Sequence, residues 1–83
     1  MKPRKKPLGN LNAIGGKIAE IRIMNGIKQK DFIAGLQAEE MDINPSSYSK
    51  LEGQTRQVTD IEIIKIAKVL RVDVRELFPD RQR

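Results

Sequence analysis

The 83-residue chain contains no cysteine, no histidine and no tryptophan, and only one tyrosine and two phenylalanines. Without cysteine no disulfide can stabilise the fold, and without cysteine or histidine the usual structural zinc sites are excluded. The same absences remove the commonest catalytic nucleophile and base pairs, so we expect no enzyme activity, no metal and no cofactor. A chain of this length forms one small domain, which packing must hold together.

Long apolar segments are also missing. No run approaches the roughly 18 consecutive apolar residues of a membrane-spanning helix, and the basic N-terminus is not followed by the apolar stretch of a signal peptide. We therefore expect a cytoplasmic protein with no membrane partner.

Positive charge is in excess, since sixteen Lys and Arg face eleven Asp and Glu and give a net charge of +5. Part of the excess lies at Lys2, Arg4, Lys5 and Lys6. Residues 1–11 cannot bury enough apolar surface to order themselves, so they are predicted to form a flexible basic arm. Such an arm either adds salt-dependent contacts to a polyanion or keeps the protein in solution, and the composition leaves both readings open.

Five helices and no strand are predicted from the spacing of apolar residues and from capping signals. Helix 1 is expected at about residues 12–25, because isoleucines recur at helical spacing before a stop at Asn25-Gly26. Helix 2 is expected at Gln29–Ala38. Its inner face consists of the apolar residues Phe32, Ile33 and Leu36.

Helix 3 is predicted to start behind Asn44, whose side chain can accept hydrogen bonds from the first free N–H groups of a helix. It runs over residues 45–52, with proline in the first turn, where a helix tolerates it. At roughly 100° per residue, Tyr48 and Leu51 fall on one side. The other side is small, polar and basic, which suits close approach to a negatively charged, hydrogen-bonding surface such as the major groove of DNA.

Two capping boxes mark the last two helices. Thr59 and Glu62 predict that helix 4 starts at Asp60, and Asp73 with Glu76 predicts a short helix 5 that ends at Phe78-Pro79. The apolar stripe of helix 4 is expected at Ile63, Ile66, Ala67 and Leu70, with Ile64 and Val69 beside it.

With these elements placed, the chain resembles the lambda-repressor and Cro type of helix-turn-helix protein, the XRE family. The resemblance covers about residues 14–78. It rests on the segment from Ile14 to Gln29, on Ser49-Lys50-Leu51-Glu52, and on Val58-Thr59-Asp60 through Leu77-Phe78. It implies an all-α, five-helix domain at residues 12–78, between the arm and a short polar tail at 79–83, in which helices 2 and 3 form the DNA-reading unit.

The resemblance also implies roles for single positions. Gln29 matches the residue that opens helix 2 and bonds a DNA phosphate, while Ser47 and Arg56 match positions that touch the DNA backbone. The base-reading positions are Pro45, Ser46, Ser49 and Lys50. A lysine can donate to guanine, serine can serve either base type, and proline offers an apolar contact. The plainer alternative is that all of these are ordinary solvated side chains.

Arg22 and Glu52 match an ion pair that joins helix 1 to helix 3 in the family, and its expected role is structural. Tyr48 occupies a position that is usually aliphatic. We expect its ring in the core and its hydroxyl on a polar partner.

The chain departs from the family pattern in two further places. The stretch from Gln29 to Asn44 is about five residues longer than the commonest form of the motif, so either helix 2 is extended or the turn is a real loop. Ile23 stands where the family is polar. It is either a single exposed apolar residue or, with Leu8, Leu11 or Val74, part of a subunit contact.

The expected function is that of a sequence-specific DNA-binding transcriptional regulator on the nucleoid, a repressor that binds a palindromic operator as a homodimer. Dimerisation is expected because one short helix offers few discriminating contacts, whereas two half-sites about 34 Å apart add their selectivity. The resemblance places the dimer contact at helix 5 and the tail. The alternative is an antitoxin or other protein-binding module that uses the same fold.

Overall fold

The computed structural model describes residues 9–79. These residues form four α-helices, which are α1 (Gly15–Met24), α2 (Gln29–Ala38), α3 (Pro45–Glu52) and α4 (Asp60–Leu70), followed by a 3₁₀ turn at Val74–Leu77. No strand occurs within 9–79, and the predicted all-α class is confirmed. The fifth predicted helix is a single 3₁₀ turn, because Phe78 leaves it in an extended conformation ahead of Pro79, which a helix does not continue through.

Local capping sets the starts of α3 and α4, as the sequence predicted. The Asn44 side chain accepts a hydrogen bond from the Ser47 N–H at 2.9 Å, and the Ser47 hydroxyl accepts from the Asn44 N–H at 3.0 Å. Thr59 and Glu62 cap each other in the same reciprocal way at the start of α4. Each box satisfies N–H groups that a helix end otherwise leaves unpaired.

The first helix is shorter than predicted, and the Asn12 side chain, three residues before its first residue, explains why. Asn12 Oδ1 accepts from the backbone N–H groups of Ile14 and Gly15, at 3.1 and 2.8 Å, so the helix begins only at Gly15. The other end is as predicted. Gly26 adopts a left-handed φ of 69° and its N–H donates to the Ile23 carbonyl, which terminates α1 after Met24.

One hydrophobic core joins all of these elements. Its buried members are Ile14, Ile18, Phe32, Ile33, Leu36, Met41, Ile43, Tyr48, Leu51, Ile66, Ala67, Leu70 and Leu77. The rings of Phe32 and Tyr48 meet edge to face with centroids 5.5 Å apart, which fixes α2 against α3.

The long connection between α2 and α3 is a real loop and not an extended helix. Glu40 takes a left-handed φ of 65°, and the Gln37 side-chain amide donates to the Ile43 carbonyl at 2.8 Å. Met41 and Ile43 are each only 4% exposed and belong to the core, which the sequence analysis did not anticipate. Their burial anchors a segment that is otherwise irregular.

Two lysines tie the same loop to α4. Lys68 forms an ion pair with Glu39 at 3.1 Å, and Lys65 donates to the Glu40 carbonyl at 3.3 Å. The loop therefore contributes to the placement of α4 as well as to that of α3.

The prediction for Ile64 was wrong. Ile64 was expected beside the core stripe of α4, but it is 60% exposed and Ile61 is 62% exposed. At 100° per residue both lie on the side of the helix opposite Ile66 and Leu70, which fill the core.

None of the helices formed by residues 9–79 has the length and apolar character needed to cross a bilayer. The same stretch contains no group of three or more acidic side chains arranged to hold a metal ion.

Candidate nucleic-acid interface

Helix α3 has two sharply different faces. Tyr48 and Leu51 are fully buried, and Glu52 is only 7% exposed. The four residues expected to read bases, Pro45, Ser46, Ser49 and Lys50, are all exposed. The helix therefore presents a continuous surface of small polar groups and one ammonium, while its opposite side is fixed in the core.

The Glu52 carboxylate links three helices. Its Oε2 pairs with Arg22 Nε from α1 at 2.9 Å and accepts a hydrogen bond from the Tyr48 hydroxyl within α3. Its Oε1 accepts from the Gln29 amide of α2 at 3.5 Å, near the limit of a hydrogen bond. Arg22 also donates to the Ile27 carbonyl at 2.8 Å. The guanidinium therefore joins the turn between α1 and α2 to the Glu52 carboxylate.

Burial and the neighbouring Glu52 carboxylate together raise the pKa of Tyr48 well above its ordinary value. The phenol therefore remains a hydrogen-bond donor to Glu52 across the physiological pH range. This contact is the polar partner that the sequence analysis expected for the Tyr48 hydroxyl.

Gln29 stands exposed at the first position of α2. Backbone N–H groups at a helix start attract anions. The Gln29 amide lies at this start, and its bond to Glu52 is the longest of the contacts made by that carboxylate. A ligand phosphate can draw the amide outward while Glu52 keeps its other two partners.

The Ser47 hydroxyl is already engaged in the cap of α3. It accepts from the Asn44 N–H and donates its proton to the Asn44 carbonyl at 3.1 Å. Since a hydroxyl has one proton to donate, Ser47 can donate to a DNA phosphate only by giving up that second bond.

Arg56 is held at the start of α4. Its two terminal nitrogens meet the two carboxylate oxygens of Glu62 at 3.3 and 3.0 Å, and the side chains are 21% and 20% exposed. Partial burial opposes ionisation of Glu62, but the Arg56 guanidinium and the Thr59 N–H outweigh it and lower the pKa of that carboxyl. Glu62 was predicted in the capping box, but its second role as partner of Arg56 was not.

A segment expected to belong to the arm packs along the C-terminal end of α3. The N–H of Gly9 donates to the Gly53 carbonyl at 2.8 Å, and the N–H of Leu11 donates to Gln54 at 2.9 Å. Residues 1–8 of the predicted arm, with its four basic side chains and Leu8, lie outside the described residues, as do tail residues 80–83.

Asn12 and Gly15 complete this junction between α1 and α3. The Asn12 amide donates to the carbonyls of Leu51 and Arg56, at 3.2 and 2.8 Å. Gly15 approaches so closely that an added Cβ would lie 2.2 Å from the Leu51 carbonyl oxygen. The C-terminal turn of α3 is therefore seated directly on the first turn of α1.

A family model described as helix-turn-helix matches residues 18–77, which is most of the chain and includes all of α2, the loop and α3. The chain belongs to the XRE family of helix-turn-helix proteins. This membership confirms the resemblance found in the sequence, and the XRE-family chain is a DNA-binding regulator of transcription.

A solved structure is similar over nearly the whole described region. It is the restriction-modification controller protein C.AhdI from Aeromonas hydrophila, with 26% sequence identity and a TM-score of 0.69. The alignment covers 82% of this chain and 96% of that chain. A comparison with curated protein sequences gave no match.

Proposed function

We propose that this XRE-family regulator is a repressor that binds a palindromic operator as a dimer, with α3 of each copy in the major groove. The exposed outer face of α3, opposite a buried Glu52 junction, supports this function most strongly. A reading helix must keep its angle to the domain, and the Arg22 and Tyr48 contacts to Glu52 restrain that angle.

The proposed base contacts follow from the chemistry of the exposed face. Lys50 donates to guanine O6 or N7, while Ser46 and Ser49 contact either base type. Pro45, in the first turn, makes an apolar contact to a thymine methyl group. Each such contact contributes discrimination at one position of a half-site.

The proposed backbone contacts position the helix without reading sequence. Gln29 is the leading one, because its amide and the N-terminus of α2 can approach the same phosphate. Arg56 keeps guanidinium donors beyond those used on Glu62 and Gln57, so it can serve Glu62 and a phosphate together. Ser47 contributes a phosphate contact only when its hydroxyl gives up the hydrogen bond to the Asn44 carbonyl. The basic arm adds further phosphate contacts, each with a salt slope of about 0.9.

Dimeric binding and repression are inferred from the small size of the reading surface. Four side chains on an eight-residue helix give limited specificity, and a second half-site one helical turn away roughly doubles the discriminating energy. A dimer seated on a promoter blocks other proteins sterically. The similarity to a controller protein supports a regulatory role.

The test is selection from a pool of random DNA duplexes with purified protein at two salt concentrations, in parallel with Lys50→Ala. We expect an enriched palindrome, its loss or relaxation in the variant, and affinity that falls steeply with salt. Weak binding without enrichment would refute sequence-specific repression.

A second candidate function is protein binding, as in an antitoxin. Ile23 and Met24 are 51% and 78% exposed at the end of α1, and Met24 lines an open groove of about 560 Å³ between α1 and the 3₁₀ turn. Met24→Glu separates the two functions. The variant should select the same DNA as the wild type if the groove serves a protein partner, and altered selection would remove this candidate.

A further inference from the structure

Helix α4 carries an apolar surface that the core does not use. We define the outer face of α4 as Asp60, Ile61, Ile64, Lys68 and Arg71, all of which are exposed. The two isoleucines are three residues apart, so their side chains are neighbours on the helix surface. They are 62% and 60% exposed, whereas Ile66 on the opposite side is fully buried.

This pairing is distinctive within residues 9–79. The large apolar side chains with substantial exposure are Leu11, Ile23, Met24, Ile61, Ile64 and Phe78. Of these, only Ile61 and Ile64 are β-branched neighbours on the surface of one helix. That helix is also held firmly, by the capping box at its start and by the Glu39 and Glu40 contacts of the loop. Adjacent exposed apolar side chains on a firmly held helix form a surface that a partner can cover.

The charges on the same face are arranged to complement a second copy. Asp60 lies at the N-terminal end, and Lys68 and Arg71 lie at the C-terminal end. If two α4 helices run antiparallel with Ile64 at the twofold axis, the Ile64 side chains of the two copies meet and Ile61 of each copy lies beside them. The same register places Asp60 of each copy opposite Lys68 of the other, so the surface is self-complementary in the way an isologous dimer requires.

We propose that the outer face of α4 is the surface through which two copies of this chain associate. The proposal rests on the dimeric function proposed above and assigns its interface. The 3₁₀ turn offers less exposed apolar surface, because its Leu77 is fully buried and Phe78, which follows the turn, is 42% exposed. This proposal places the dimer contact on α4, whereas the family resemblance implied helix 5 and the tail.

The size of the surface predicts a weak association. At about 1.5 Å per residue, α4 is roughly 16 Å long, and one helical face of that length buries less than the ~800 Å² per partner of a standard interface. The dimer is therefore populated at high protein concentration and is completed on DNA, where two adjacent half-sites raise the effective concentration of the copies.

The direct test is sedimentation equilibrium of the full chain, comparing Ile64→Glu with Ile23→Glu. Both substitutions replace a half-exposed helical isoleucine with the same charge, so Ile23 is a matched control. We expect the dimer dissociation constant to rise by about tenfold or more for Ile64→Glu and to stay within about twofold for Ile23→Glu. The proposal would be overturned by equal effects of the two substitutions or by no effect of Ile64→Glu. It would also be overturned by a monomeric wild type that binds adjacent half-sites without cooperativity.

A charge swap tests the antiparallel arrangement without changing the apolar residues. Asp60→Lys and Lys68→Glu should each weaken association several-fold, and the double variant should recover most of the loss. Because Lys68 also pairs with Glu39, the melting temperature of each variant is measured as a control for folding. Weakening that simply adds in the double variant would contradict the antiparallel pairing.

DNA binding separates failure of this interface from failure of the proposed function. On a half-site cut from the selected duplex, Ile64→Glu should bind as the wild type does, while on the full site it should lose cooperativity. Loss of self-association with no DNA selection by any variant would uphold the surface and refute the operator. Intact DNA selection with unchanged self-association of Ile64→Glu would uphold the operator and refute the surface.

Discussion

The inner face of α3 is joined to α1 and α2 through Glu52, whereas the outer face carries four side chains that make no side-chain hydrogen bond within residues 9–79. One eight-residue helix thus separates two tasks. Inner-face residues fix its position, and outer-face residues are available to a ligand. Substitutions on the two faces should therefore differ in kind, with loss of stability on one side and loss of recognition on the other.

The largest loss of stability is expected for Glu52→Gln. It leaves the Arg22 guanidinium buried at 8% exposure without a compensating charge. Removing one member of a buried pair typically lowers the free energy of unfolding by about 3–5 kcal/mol. Urea denaturation at neutral pH measures it. A loss below about 1 kcal/mol would mean that water already screens the pair.

Gly15→Ala is expected to have the next largest effect. The new methyl group would meet the Leu51 carbonyl oxygen at 2.2 Å, and neither backbone can yield without tilting α3, so we expect a loss of about 1–3 kcal/mol. Gly16→Ala is the matched control. Its nearest neighbour would be the flexible end of Gln54 at 3.8 Å, so the change should be neutral or stabilise the helix by up to about 1 kcal/mol. Equal effects would remove the close approach as the cause.

Tyr48→Phe tests the inner face through pH. Because the folded pKa of Tyr48 is raised, the unfolded chain releases this proton near pH 10 while the folded chain keeps it. The stabilisation is fully present below that pH and is lost as the pH rises, at about 1.4 kcal/mol per pH unit. Urea denaturation at several alkaline pH values should give a shallower decline for Tyr48→Phe.

The wild-type chain provides an internal check on this prediction. Tyr48 is the single tyrosine of the chain, so tyrosinate absorbance reports on it alone. It should appear only as the protein unfolds. Ionisation near pH 10 in the folded protein would contradict the assigned hydrogen bond.

A smaller effect is expected at the more exposed ion pair. Glu62→Gln keeps the capping geometry but removes the charge that faces Arg56, and for a pair that is about 20% exposed we expect a loss of about 1 kcal/mol or less. Since the folded pKa of Glu62 is lowered, the stabilisation is present above the ordinary glutamate pKa and is lost as the pH falls through the folded value. Thermal unfolding at neutral and acidic pH should show the difference disappear in acid.

Local signals in the sequence predicted most of the fold. Asn44 with Ser47, and Thr59 with Glu62, are within three residues of each other, so their pairing needs no tertiary information. The bounds of α3 and the start of α4 followed from such signals, and those of α2 followed from its apolar inner face. The start of α1 did not, because the Asn12 side chain that sets it is itself held by the distant carbonyls of Leu51 and Arg56.

Long-range contacts explain what the sequence could not provide. The burial of Met41 and Ile43 depends on space left between α2 and α3 by a loop of unusual length. The engagement of Arg56 with Glu62 depends on the path of the α3–α4 connection, so a residue matched to a DNA-contacting position also has a structural partner. Ile64 was misplaced because the spacing of apolar residues alone does not show which side of α4 meets the core.

The most direct test is the affinity of Lys50→Ala for the selected duplex and for an unrelated duplex, with Lys17→Ala as a control. Lys17 has the same charge and lies in the groove between α1 and the 3₁₀ turn. We expect Lys50→Ala to leave stability unchanged and to cost about 1–3 kcal/mol on the selected duplex only, with relaxed preference at one base pair. An equal loss on both duplexes, or none beyond that of Lys17→Ala, would contradict the assignment of the outer face of α3 as the base-reading surface.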